Sequence, residues 1–113
     1  MKTIESIEKR REEIIEEIRN IPSMRRGTIN EQYLKVPRKD KESSLRGPYY
    51  VLTRKENGKT VSTRVRSHEF EEIKKETEAY KKFNQLSNEF AAITEELTDK
   101  RKRLQNEDSK KNF

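Results

Sequence analysis

The chain has 113 residues, of which 28% are hydrophobic and 42% charged, with a formal net charge of +6. So little apolar material builds only a thin core, which argues against an enzyme with an enclosed pocket. The absence of Cys and the single His exclude a disulfide framework, a thiolate zinc site and a His-cluster metal site, so no cofactor is expected.

No run approaches the length of a membrane span, and the start MKTIESIEKRREE is too acidic and polar for a targeting leader, so a cytoplasmic protein without membrane contact is expected. Three Gly and three Pro favour long charged helices over a loop-rich or all-β fold. The first element in chain order is an amphipathic helix over residues 1–21, with Ile4, Ile7, Ile14, Ile18 and Ile21 at helical spacings. Thr3 and Ser6 are candidate N-caps, and Glu5, Glu8, Glu12 and Glu13 suit the positive end of the helix dipole. Pro22 ends the helix. Arg11 interrupts the isoleucine seam, and its stem is expected to pack while its head reaches water.

Residues 22–47 read as a basic linker containing Arg25, Arg26, Arg38, Lys39 and Arg46. Thr28 followed three residues later by Glu31 has the pattern of a helix capping box, so a short helical piece is expected there, then a flexible loop from Pro37 to Ser44. Residues 48–66 carry the strongest local signal. Asn57-Gly58 suits a two-residue type I′ turn, and with that turn the register of a two-stranded β-hairpin follows. One face presents Tyr50 opposite Val65, Leu52 opposite Thr63 and Arg54 opposite Val61. The other presents Tyr49 opposite Arg66, Val51 opposite Arg64, Thr53 opposite Ser62 and Lys55 opposite Thr60. Burial of the first face on a helix leaves Tyr49, Arg64 and Arg66 displayed outward.

From Ser67 to Leu104 there is neither Pro nor Gly, and a helix over 67–106 is expected, with Ser67 as its N-cap and Glu69, Glu71 and Glu72 in its first turns. His68 beside Ser67 is explained by that helix start rather than by a nucleophile and base. Such a helix is about 57 Å long against about 28 Å for the first. The stripe Phe83, Leu86, Phe90, Ile93 and Leu97 is therefore expected to need a further partner, either a second copy of the chain or another protein. Residues 107–113 read as a disordered tail.

These elements make a single domain over 1–113 of class α+β, mostly α: a long antiparallel helical hairpin or coiled coil with a central two-stranded β-hairpin. Segments 1–21, 22–47, 48–66 and 67–113 carry formal charges of −1, +4, +4 and −1, so the whole positive excess lies between the helices. That placement points to a polyanion, with DNA favoured over RNA. The candidate contacts are Arg25, Arg26, Arg38, Lys39, Arg46, Arg54, Arg64 and Arg66, with Tyr49 as a stacking group. The alternative is a protein-interaction factor that docks through its long helix on a recombinase, transposase or defence complex.

The succession MRRGTINEQY, RGPYYVLTR, NGKTVSTRV and AYKKFNQLSNEFAAITEEL resembles a bacterial family of short proteins of unknown function, often encoded in transposon-like or other mobile elements. The resemblance covers about residues 10–103. It implies an N-terminal helix, a GPYY strand, a GK turn and a long helix opened by a Tyr-x-x-Phe motif, in a mobile-element or phage setting. Typical members of that family carry a Cys-rich stretch between the RRG and GPYY motifs. Tyr33 to Leu45 here contains no Cys, so any metal knuckle the resemblance implies is lost or replaced.

Overall fold

A computed structural model describes the backbone of residues 2–38 and 41–111 and the side chains of residues 2–37 and 46–108. The elements are α1 (Ile4–Arg19), β1 (Thr28–Arg38), β2 (Lys41–Glu56), β3 (Lys59–Val65), a 3₁₀ turn (Ser67–Glu69) and α2 (Phe70–Lys111). The fold is mixed α+β, with a three-stranded antiparallel sheet in the order β1-β2-β3 and one long helix. The chain divides into two compact units, residues 1–22 with 81–113 and residues 23–80. Among the described residues no helix is long and apolar enough to cross a membrane.

In the first unit, Thr3 closes the start of α1 through a capping box. The Thr3 hydroxyl accepts from the Ser6 amide at 3.1 Å, and the Ser6 hydroxyl accepts from the Thr3 amide at 3.0 Å, so two donors that the helix leaves orphaned are satisfied. The isoleucine stripe then buries Ile7 and Ile14 against Leu86, Ile93 and Leu97 of α2, with Ile4, Ile18 and Phe90 packed around them. Ion pairs from Arg10 to Glu89 and from Arg101 to Glu8 flank this core. Arg11 is half-buried in the seam, and its guanidinium lies over the Phe90 ring at 5.0 Å, which gives the charged head an electron-rich surface while the stem packs.

Arg10 grips Glu89 through two bonds, Nε to Oε2 at 2.6 Å and Nη2 to Oε1 at 2.8 Å. Those bonds outweigh partial desolvation and, helped by the charges of Arg10 and Lys2, hold the Glu89 carboxyl below the usual carboxylate range. A carboxyl with a depressed folded-state pKa contributes stability above the unfolded pKa and loses it as pH falls through the folded value. Wild type is therefore expected to lose more thermal stability between pH 7 and pH 3 than Glu89→Gln. Equal losses in melting scans at the two pH values would remove this pair from the acid response.

The second unit contains the sheet. The Asn57-Gly58 turn has φ of 52° and 79°, as the type I′ geometry demands. β2 and β3 pair in the expected register from Tyr50 opposite Val65 to Glu56 opposite Lys59. The ladder stops at Tyr50, so Tyr49 and Arg66 are not a cross-strand pair.

The expected linker is corrected from Thr28 onward: it supplies β1 and the first half of β2. Thr28 pairs with Thr53, Ile29 with Leu52 and Asn30 with Val51, and after a register shift between Gln32 and Leu34 the two strands continue to Arg38 and Lys41. The hairpin is thus one half of a three-stranded sheet. Strand wins over the capping-box reading because Ile29 is placed on the apolar face of β2, and because β1 satisfies backbone groups along the other side of β2. Gly27 permits the entry. Its φ is +128° and a Cβ there would lie 2.8 Å from the Thr53 carbonyl oxygen. Gly27→Ala is expected to destabilise this unit by about 1–3 kcal/mol, read as a lowered denaturation midpoint. An unchanged midpoint would mean that β1 can separate from β2 without loss.

One sheet face buries Leu52 and Val65 and half-buries Ile29, Tyr50 and Val61. Tyr50 stacks on Phe70 of α2 with ring centroids 4.0 Å apart, so the opening turns of α2 cover this face. Ser67 opens the 3₁₀ turn instead of capping α2. The residue at the cap position is Arg66, with no side-chain cap bond. The helix continues past the expected end at 106 to Lys111, so the expected tail is helical that far, and residues 112 and 113 lie outside the described residues.

At 42 residues, α2 is about 63 Å long, against about 24 Å for the 16 residues of α1. The stripe from Phe83 to Leu97, expected to need a further partner, is largely covered within the chain. Leu86, Ile93 and Leu97 are buried and Phe90 is packed, all within the chain's own first unit; Phe83 is half-buried. The first helix covers a distal stretch of α2, while the third strand enlarges the sheet that meets the proximal turns. Leu104, 49% exposed, lies beyond this core.

Candidate nucleic-acid interface

Strand alternation sends every second residue of the sheet away from α2. On β2 these are Tyr49, Val51, Thr53 and Lys55, and on β3 Thr60, Ser62 and Arg64. Register extends the face onto β1 through Thr28, Asn30 and Gln32, which pair with Thr53, Val51 and Tyr49. Tyr49, Val51 and Thr53 are half-buried and the other seven are exposed. Arg66, just past the end of β3, is also exposed.

Among the described residues no carboxylate belongs to this surface. The described acidic residues of the strands, Glu31 and Glu56, have the opposite alternation, and Glu56 is bonded there to Arg54 at 3.2 Å. Lys55 and Arg64 therefore project from a field of neutral hydrogen-bonding groups, with Arg66 just past the strand end, and among the described residues none of the three is in an ion pair. The Arg64 guanidinium lies over the Tyr49 ring, 4.1 Å from its centroid, while the Thr53 and Ser62 hydroxyls meet across the strands at 3.5 Å. Such a surface can neutralise phosphates through its cations, offer hydrogen bonds to sugars and base edges, and present planar groups for stacking.

The remaining expected contacts separate into four groups. Arg25 is an anchor, because its Nε donates to Glu76 Oε1 at 3.0 Å and its backbone amide donates to the Glu76 carbonyl at 3.0 Å. Arg54 lies on the helix-packed face in the pair with Glu56. Arg26 and Arg46 are exposed, Arg26 ahead of β1 and Arg46 in β2 opposite Leu34. The Arg38 side chain and all of Lys39 lie outside the described residues.

Reading the sequence alone missed Thr28, Asn30 and Gln32, because the Thr28 to Glu31 spacing suggests a helix cap. The signal that identifies them is the alternation of Ile29 and Glu31 with those three residues. Among the described residues no group of three or more His, Asp or Glu side chains is arranged to hold a metal. His68 is 73% exposed on its side chain, with Nε2 3.6 Å from Glu69.

No curated protein and no solved structure matches the chain. A family model described as a domain of unknown function (DUF6788) matches residues 4–75, a span that takes in α1, all three strands and the first turn of α2, and the chain belongs to that family.

Proposed function

We propose that this protein is a nucleic-acid-binding accessory factor that holds a polyanion against the open face of its sheet. The observation that supports the reading best is a face that shows no carboxylate among the described residues, on which Arg64 lies over Tyr49 with Lys55 toward one end and Arg66 just past the other. Arg26 and Arg46 add exposed positive charge from neighbouring segments. Net charge by itself would say little, but charge of one sign on one face with neutral donors between is what phosphate binding requires. The mobile-element or phage setting rests on the RRG, GPYY and GK motifs alone.

Three phosphate contacts give a salt slope of about −2 to −3, so affinity should fall about twenty- to fortyfold between 50 and 200 mM salt. Fluorescence anisotropy with labelled DNA and RNA oligonucleotides measures this directly, and the DNA and RNA arms report which polymer is preferred. No binding to either at 50 mM salt would overturn the reading.

A further inference from the structure

We infer that the occupant of the open sheet face is a single strand, with an unpaired base stacked on the Arg64 guanidinium. The inference rests on the nucleic-acid reading above and deepens it by naming the form of the polymer. At 4.1 Å from the Tyr49 centroid, the guanidinium has one side against the ring. Arg64 is exposed, so its other side is open to solvent. Bases stack on guanidinium planes as they do on aromatic rings. The Tyr49 ring beneath restrains the long arginine side chain before any ligand arrives, and this lowers the ordering entropy of binding.

The register supplies the rest of the site. Gln32 pairs with Tyr49, and Asn30 lies in the same rung as Val51 and Arg64. Adjacent strands are about 4.8 Å apart and same-face residues along a strand about 6.6 Å apart, so both amides stand within about 10 Å of the stack. Each amide offers a donor and an acceptor to a base edge. Lys55 and Arg66 lie toward opposite ends of the same face and suit a backbone that crosses it. Inside a duplex the planes of the bases are covered by their neighbours, so a duplex can engage the cations of this face but not its stack.

The test is anisotropy titration of the full chain with a labelled 12-nucleotide single strand and with the duplex of the same sequence, at 100 mM salt. Wild type is expected to prefer the single strand by at least about tenfold. Arg64→Lys retains the charge and the salt slope but should lose that preference, while Tyr49→Phe should retain it, because the ring remains. The chain has no Trp and 4 Tyr, so tyrosine emission gives a second readout: the single strand should quench wild type more strongly than Tyr49→Phe. Circular dichroism establishes that each variant is folded. Duplex binding as tight as single-strand binding, or Arg64→Lys indistinguishable from wild type, would overturn the stacking inference and leave the nucleic-acid reading in place. Absence of binding to both probes even at 50 mM salt would overturn both.

Discussion

Ile14→Ala is expected to destabilise the unit formed by α1 and the second half of α2 by about 3–4 kcal/mol, and Leu97→Ala by a similar amount. Both side chains are almost wholly buried, at 0% and 1% exposure, and they belong to one cluster with Ile7, Leu86 and Ile93. Among the described residues only seven apolar side chains are buried. Each therefore carries a large share of a stability that for natural domains is about 5–15 kcal/mol. Removing three carbons' worth of contacts from so thin a core leaves few neighbours able to close the cavity. The loss should appear as release of α1: lower helical ellipticity, a melting temperature depressed by ten degrees or more, and faster proteolysis within residues 4–19. Ile15→Ala, at a position 38% exposed, is the control and should cost under about 1 kcal/mol. Equal effects at the two neighbouring isoleucines would contradict the packing described.

The second large effect concerns the sheet. The double reversal Arg64→Glu with Arg66→Glu is expected to weaken nucleic-acid binding about a hundredfold or more at 100 mM salt, because two phosphate contacts are lost and two repulsions added. Lys81→Glu with Lys82→Glu makes the same change in net charge at two exposed positions of α2 and should weaken binding less than about threefold. The two variants separate a local site from a general attraction between a basic protein and a polyanion. Comparable losses in both would assign the affinity to net charge and remove the open face as its location. Arg25→Ala should behave differently again. Arg25 is bonded to Glu76 through side chain and backbone, so this substitution is expected to lower stability with little change in the salt slope of binding.

Much of the sheet is legible in the sequence. Asn57-Gly58 determines the hairpin register because positive φ at both turn positions leaves one arrangement of the flanking strands, and from that register the two faces of β2 and β3 follow residue by residue. The Tyr49 and Arg64 side chains could thus be placed on one outward surface. Their stacking could not, since the register sets Tyr49 outside the β2–β3 ladder and only side-chain conformation brings the guanidinium over the ring. The third strand was hidden by a local pattern with two readings: Thr28 and Glu31 are spaced for a helix cap, yet the same residues alternate correctly for a strand. Propensity over four residues is worth too little to decide between them, whereas pairing with β2 satisfies a whole row of backbone groups at once.

The composition that limits this protein to a thin core, the helical spacing of its isoleucines, the concentration of positive charge between residues 22 and 66 and the turn at Asn57-Gly58 are all properties of the sequence by itself. They determine which elements form, because periodicity and turn chemistry act over a few neighbouring residues. Only the tertiary structure decided that α1 buries Leu86, Ile93 and Leu97, that β1 completes the sheet and that Arg25 and Arg54 are occupied by glutamates while Arg64 lies on Tyr49. Those outcomes depend on contacts between residues far apart in the chain, where competing partners of similar chemistry are separated by packing and register rather than by residue type.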